Sequence, residues 1–124
     1  MQKLLNKVKE FHKVFMHPVA VKPTLTVNHV LRHKLMSEES GEYLEAAENN
    51  DLVEIADALG DQLYILCGTI LAHGMQDIIE PVFEEIHNSN MSKLGEDGKP
   101  VFREDGKIIK GPNYFKPDLK KFIK

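Results

Sequence analysis

Fifty consecutive residues of this chain, 38–87, contain thirteen aspartates and glutamates but neither lysine nor arginine. The flanking segments are basic: residues 1–37 carry seven Lys and Arg against one acid, and residues 88–124 carry nine against five. Solvated helices normally mix the two signs, because oppositely charged residues four apart stabilise a helix and like charges destabilise it. The acidic segment must therefore be neutralised by the basic ends of the chain or by bound cations, and charge alone leaves both alternatives open.

The remaining composition limits the class of protein. With 42% hydrophobic and 28% charged residues, the 124 residues are expected to form one domain, 1–124, with a helical core at about 2–88 and a basic tail at 89–124. The net charge of −3 disfavours a general nucleic-acid-binding protein. One cysteine excludes an intrachain disulfide and favours a reducing compartment, so we expect a cytoplasmic protein. No apolar run reaches about 18 residues, and we expect neither a membrane span nor a secretory signal.

Helical periodicity and capping residues predict an all-α fold, a bundle of four to five helices with a short extended C-terminal tail. The first helix covers residues 2–15. Its apolar side, predicted to be core, consists of Leu4, Val8, Phe11 and Phe15. Asn28 is a suitable N-cap for a second helix that ends near residue 50. Asp51 is a suitable N-cap for a third helix, which Gly74 terminates.

The C-terminal third of the chain predicts one more helix and a hairpin. Asp77 is predicted to cap the fourth helix. The apolar side of that helix, which fits an oligomer interface or a monomer core equally well, consists of Ile78, Ile79, Val82, Phe83 and Ile86. Beyond it, Asp105-Gly106 lies between two short apolar pairs, at 101–102 and 108–109, and this pattern favours a β-hairpin. Three glycines within the predicted helices, Gly41, Gly60 and Gly68, are expected to mark close helix packing.

Acidic residues fall on one face of the second and the third helix. Glu38 and Glu42 continue the apolar stripe of the second helix, and Glu39 lies just beside it; ionised carboxylates there are costly unless they are paired or bound to metal. The third helix carries three acids, Glu54, Asp57 and Asp61, at spacings that share one face. Its other residues are almost all apolar, which predicts a buried helix. If the two helices pack antiparallel, these carboxylates can converge.

Converging carboxylates favour a hard divalent cation. All-oxygen sites suit Mg²⁺, with Mn²⁺ as an alternative. Neither helix has a histidine three positions after a glutamate, which disfavours a di-iron site, and one cysteine with scattered histidines disfavours zinc. A different interpretation is that the acidic face reaches solvent, pairs with lysines of the first helix, or binds a basic partner protein.

Two acidic motifs resemble those of a known enzyme group. Residues 38–42, EESGE, have the form EExxE, and residues 54–57, EIAD, have the form ExxD eleven residues further on. With Arg32-x-x-Leu35, the run DALGDQLY at 57–64 and the tail sequence HNSNMSK at 87–93, they resemble the all-α nucleoside triphosphate pyrophosphohydrolases. That group includes MazG-like proteins, dimeric dUTP diphosphatases and phosphoribosyl-ATP pyrophosphohydrolase. The resemblance extends from about residue 11 to 119.

The resemblance implies an activity and a set of site residues. The implied enzyme uses Mg²⁺ to cleave a nucleoside triphosphate between its α and β phosphates, releasing a nucleoside monophosphate and pyrophosphate, with nucleotide-pool house-cleaning as its role. The implied metal ligands are Glu39, Glu42, Glu54, Asp57 and Asp61. The implied catalytic residues are Glu38, Glu39 and Glu42, of which Glu38 positions the attacking water. The implied substrate-binding residues are Asn90, Lys93, Lys110 and Tyr114. In many members the second acidic motif ends at an aspartate directly before a Leu-Leu-Tyr-like run. That aspartate is Asp61 here, so the resemblance leaves open whether Asp57, Asp61 or both complete the metal site.

Several alternatives stay open from sequence. The chain could be a helical module that binds metal and nucleotide without turnover, or a phosphoribosyl-ATP pyrophosphohydrolase. We rank the latter lower because the basic, Gly- and Lys-rich tail is more similar to the MazG-like subgroup. Members of this size form homodimers or homotetramers, so the resemblance implies an oligomer. The preferred base and sugar are not indicated.

Overall fold

The computed structural model describes residues 1–123. Its helices are α1 (Gln2–Val14), α2 (His29–Glu48), α3 (Leu52–Ala72) and α4 (Ile79–Met91), followed by strands β1 (Val101–Phe102) and β2 (Ile108–Ile109) and a 3₁₀ helix at Lys120–Phe122. The predicted all-α class with a short hairpin is confirmed. The chain divides into two compact units, 1–77 and 78–124.

The first unit is built on α3, against which both α1 and α2 pack. The side chain of Asn28 accepts a hydrogen bond from the Leu31 N–H, and that of Asp51 accepts one from the Glu54 N–H, each at 3.1 Å. Both N-caps are therefore confirmed, because each side chain satisfies a backbone donor that has no partner within the helix. Gly74 has φ = 68° just after α3 ends, as expected for a helix terminator.

The core face of α1 differs from the prediction. Leu5, Val8 and His12 are buried, whereas Phe11 is 38% and Phe15 60% exposed. The two phenylalanine rings stack on each other with centroids 4.4 Å apart instead of entering the core. The prediction is confirmed for Val8 and wrong for Leu4, Phe11 and Phe15, because it followed apolar residues alone, whereas α1 turns a histidine towards α3.

Burial of α3 is one-sided. Ala58, Cys67 and Leu71 are buried, but Leu52 and Leu59 are 80% and 51% exposed, so the prediction of burial all round was wrong. With 21 residues, α3 is also long and apolar enough to cross a membrane. The sequence predicted no such helix, because no uninterrupted apolar run is long enough. Such a helix is weak evidence for a membrane span, because the core helix of a soluble protein passes the same test of length and composition.

The fourth helix, in the second unit, begins later than predicted. Residues 76–78 form a turn, so Ile78 and not Asp77 is the N-cap of α4, and the helix continues to Met91, past the predicted end near residue 88. The predicted hairpin is confirmed, with Val101 paired to Ile109. The tail returns to α4, where the Ser89 hydroxyl donates to the Phe115 carbonyl at 2.8 Å.

Candidate metal centre

Three carboxylates of the first unit converge. Glu39 and Glu42 lie one turn apart on α2, and Asp61 lies on the facing side of α3. One carboxylate oxygen from each lies within 4.8 Å of the other two. Since α2 and α3 are consecutive helices joined by a three-residue turn, the helical hairpin brings together acids that are separate in sequence.

The electrostatics show a site short of positive charge. Oε2 of Glu39 is buried and has no hydrogen-bond partner among the described residues. Burial raises the pKa of Glu39 to about 7, helped by a hydrogen bond with Glu42 and by the charges of Glu42, Asp61 and Asp57. The pKa of Asp61 is also raised, mainly by burial and then by Asp57 and Glu42. Each carboxylate therefore opposes ionisation of its neighbours.

This donor set fits a divalent cation. Mg²⁺ binds oxygen at about 2.1 Å, so ligands on opposite sides of the ion lie about 4.2 Å apart. One carboxylate oxygen from each of Glu39, Glu42 and Asp61 lies within 4.8 Å of the other two, so small movements of the side chains would bring all three to a single ion. A cation there would also provide the partner that the buried Glu39 oxygen lacks.

The other predicted ligands border an adjoining groove. Asp57 is close enough to raise the pKa of both Glu39 and Asp61, and it lines a groove of about 310 Å³ that also contains Glu42 and Glu54. Glu54 lies outside the three-carboxylate cluster. The sequence did not lead us to include three further polar residues of this groove in the site: Glu45, Asn49 and Asp51, the last predicted only as an N-cap. The available signal was spacing, because Glu45 continues the three-residue series of Glu39 and Glu42.

Glu38, the predicted water-positioning residue, is exposed on α2 next to Glu39 and is not part of the cluster. The predicted substrate-binding residues lie in the second unit. Asn90 is exposed on α4, and the Lys93 carbonyl accepts a hydrogen bond from the Gly111 N–H at 2.8 Å. This bond brings the backbone beside Lys110 to the end of α4, and Lys110 Nζ lies 4.7 Å from the centre of the Tyr114 ring. The fold thus places the two predicted lysines in one neighbourhood.

Comparison with known proteins decides the family. A profile described as phosphoribosyl-ATP pyrophosphohydrolase matches residues 8–90, which include α2, α3 and all the clustered acids. The chain belongs to the phosphoribosyl-ATP pyrophosphohydrolase family. This membership supports the resemblance to the MazG-like superfamily predicted from the acidic motifs.

Two relatives of this pyrophosphohydrolase-family chain are informative. The crystal structure at 1.78 Å resolution of a proposed NTP pyrophosphohydrolase from Exiguobacterium sp. 255-15 is 30% identical, with a TM-score of 0.52. The match covers 94% of this chain and 90% of that one. An uncharacterized protein of Acanthamoeba polyphaga mimivirus is 30% identical over 120 residues, which are 83% of this chain but 45% of the viral protein. The chain thus spans less than half the length of that curated relative.

Proposed function

We propose that this chain is a Mg²⁺-dependent nucleoside triphosphate pyrophosphohydrolase that converts a nucleoside triphosphate and water to a nucleoside monophosphate and pyrophosphate. The observation that carries the proposal is the convergence of Glu39, Glu42 and Asp61 around a buried carboxylate oxygen that has no hydrogen-bond partner within residues 1–123. A group with a pKa of about 7 in such surroundings needs a cation to be fully ionised at neutral pH. The family and the Exiguobacterium structure support pyrophosphohydrolase chemistry at this site.

Each acidic residue has a proposed role. Glu39, Glu42 and Asp61 hold the cation, while Asp57 and Glu54 extend the acidic surface along the adjoining groove. A bound divalent cation supplies positive charge for the triphosphate and lowers the pKa of a bound water. Glu38, exposed beside the cluster, positions the attacking water and accepts its proton. The P–O bond between the α and β phosphates breaks, and pyrophosphate leaves.

The basic tail is proposed to bind the substrate. Lys93 and Lys110 provide point charges for phosphate oxygens. Asn90 and Tyr114 lie near them in the second unit and are our candidates for contacts to the nucleoside. Arg103 is a weaker candidate, because Asp105 already pairs with it at 2.8 Å.

Phosphoribosyl-ATP is the second candidate substrate. It is favoured by the family profile, which matches two thirds of the chain. Both candidates carry a triphosphate ester whose α–β bond the same carboxylate cluster can address. We favour ordinary nucleoside triphosphates because of the MazG-like tail and the description of the Exiguobacterium protein.

We also propose that the enzyme is a homodimer or homotetramer. On the side of α3 opposite Asp61, three leucines are exposed: Leu59 by 51%, Leu63 by 41% and Leu66 by 45%. Phe83 on α4 is 69% exposed. Exposed apolar side chains on one face of a helix usually mark an interaction surface, and the α3 leucines of a second copy offer a matching one.

The proposed setting is the cytoplasm, with small nucleotides as substrates and no role at a membrane or on a nucleic acid polymer. Cys67, the single cysteine, is a buried free thiol and is compatible with a reducing compartment. The net charge of −3 gives no general attraction to polyphosphate surfaces.

Pyrophosphate release tests the proposal. Ribo- and deoxynucleoside triphosphates and phosphoribosyl-ATP are incubated with the full chain in Mg²⁺, Mn²⁺ or EDTA. Glu42→Gln removes one clustered carboxylate, and Glu48→Gln is the matched control, because it makes the same charge change on α2 outside the cluster. We expect metal-dependent release of pyrophosphate and monophosphate that is lost in Glu42→Gln and kept in Glu48→Gln.

The other outcomes have definite meanings. Release of orthophosphate would show that a different bond is cleaved. Metal-dependent nucleotide binding without release would identify a binding module that lacks turnover. Exclusive turnover of phosphoribosyl-ATP would replace the proposed substrate with the second candidate. Absence of both turnover and metal binding would refute the assignment of the acidic cluster.

A further inference from the structure

Arg32 is a buried cation whose partners are uncharged. It lies on α2, is 7% exposed, and burial lowers its pKa. Its Nε donates to the Thr69 hydroxyl at 3.0 Å, and its Nη2 donates to the Ile65 carbonyl at 2.9 Å. The Thr69 hydroxyl in turn donates to the same carbonyl at 2.9 Å. A buried charge is costly, and apolar residues of similar size often stabilise a core as well or better. The arrangement therefore points to a role in selecting one packing of the helices.

Three helices meet at this arginine. His12 of α1 is 3% exposed, and its Nδ1 lies 2.9 Å from the Pro18 carbonyl. Burial lowers the pKa of His12, with a smaller contribution from Arg32. Gly68 of α3 provides the space for both side chains, since a Cβ there would lie 2.7 Å from Arg32 Nη2 and 2.8 Å from His12 Nε2. Arg32 is thus held between α1 and α3.

The position of Arg32 along α2 matches that of the carboxylate cluster. Arg32 precedes Glu39 by seven residues, which is about 10.5 Å along a helix. Ile65 and Thr69 follow Asp61 by four and eight residues, or about 6 and 12 Å. Because α2 and α3 run in opposite directions, the guanidinium bonds and the acidic cluster require the same axial offset between the two helices.

We propose that Arg32 is a positioning residue that sets the axial register of α2 against α3 and so brings Glu39 and Glu42 to Asp61. A slip of one helical turn is about 5.4 Å, which exceeds the 4.8 Å span of the cluster. The planar guanidinium donates to two acceptors one turn apart on α3, so it fixes position along the helix axis. An apolar side chain fills space but permits sliding. The inference deepens the proposed function, because it rests on the same three carboxylates.

Mn²⁺ affinity, measured by calorimetry or by electron paramagnetic resonance, tests the register without depending on turnover. Arg32→Met keeps an apolar stem of similar length and removes both hydrogen bonds. Thr69→Val keeps the shape of its residue and removes one acceptor. Arg32→Lys keeps the positive charge but lacks the planar guanidinium that donates to two acceptors. The matched control is Leu71→Val, a change at a fully buried residue of α3 that takes no part in the Arg32 contacts.

We expect Arg32→Met to bind Mn²⁺ about tenfold or more weakly, the size of effect typical of residues that orient metal ligands. Thr69→Val should lose several-fold, Arg32→Lys should recover part of the affinity, and Leu71→Val should bind as the wild type does. All variants are compared at a temperature where circular dichroism shows full helicity. If Arg32→Met does not fold, Thr69→Val carries the same test.

Wild-type Mn²⁺ affinity in both Arg32→Met and Thr69→Val would overturn the inference. So would an equal loss in Leu71→Val, since the effect would then follow general stability. Wild-type chain that binds Mn²⁺ and shows the Arg32 dependence, but releases no pyrophosphate, would refute the proposed function and leave the register role standing.

Discussion

Replacing Gly68 by alanine should destabilise the protein, although the same change stabilises most helices. Alanine in a helix interior is normally favoured over glycine by about 0.5–1 kcal/mol. At this position the added Cβ would lie 2.7 Å from Arg32 Nη2 and 2.8 Å from His12 Nε2, well inside ordinary contact distance. Neither atom moves freely, because hydrogen bonds to Ile65 and Pro18 hold the two side chains.

The expected magnitude follows from these opposing terms. Overpacking a core by one methyl group costs about 1–3 kcal/mol, and the helix preference offsets part of this. We therefore expect Gly68→Ala to lower the free energy of unfolding by about 1–2 kcal/mol. Gly41→Ala is the matched control, since a Cβ added there would meet nothing within 4 Å, and it should stabilise by about 0.5–1 kcal/mol.

Urea unfolding followed by circular dichroism, at one protein concentration, measures both variants. With a slope of about 1–3 kcal/mol per molar urea, the midpoints of Gly68→Ala and Gly41→Ala should differ by about 0.5–3 M. A Gly68→Ala midpoint equal to or above that of the wild type would refute the reasoning, because it would show that Arg32 and His12 yield at no cost. Destabilisation by Gly41→Ala would refute the assumption of open space there.

Three further predictions concern the acids. Asp61→Asn should weaken Mn²⁺ binding by at least about tenfold, and more than Glu54→Gln does; equal effects in calorimetry would place Glu54 in the cluster. In EDTA the melting temperature should fall as pH rises from about 4.5 to about 7, because the folded-state pKa of Glu39 is raised to about 7 and folding therefore favours its protonated form. Glu39→Gln should flatten this pH profile. A melting temperature of the wild type that rises with pH over this range would contradict the prediction. Glu85 accepts hydrogen bonds from the Asp118 N–H at 2.9 Å and Lys121 Nζ at 3.0 Å, so Glu85→Ala should make trypsin cleave the tail several-fold faster, and an unchanged rate would show that other contacts hold it.

Local features of the fold were readable from the sequence. Asn28 and Asp51 cap their helices as predicted, because capping depends on one side chain and a backbone donor three residues away. The hairpin around Gly106 formed as predicted for the same reason, since turn chemistry is local. Asp77 was not a cap, because a turn at residues 76–78 precedes α4, and a capping residue type does not exclude such a turn.

The carboxylates that converge could be predicted only in part. The spacing of the acids on α2 and α3 predicted shared faces, and the structure brings Glu39, Glu42 and Asp61 together. Spacing could not distinguish Asp57 from Asp61, because both share that face of α3 and the outcome depends on the axial offset between the helices. That offset is a property of packing, in which Arg32 takes part through neutral acceptors that no charge pattern reveals.

The sequence by itself determined which helices form and which of their faces carry acid, since helix periodicity and capping act over a few residues. Only the tertiary structure decided which apolar side chains are buried. Phe11 and Phe15 have the spacing of a core face, yet the side of α1 that meets α3 presents His12, because Gly68 leaves room there for an imidazole and a guanidinium. The absence of a side chain at Gly68 of α3 thus selects which face of α1 packs against it. His12 and Gly68 are more than fifty residues apart in the sequence.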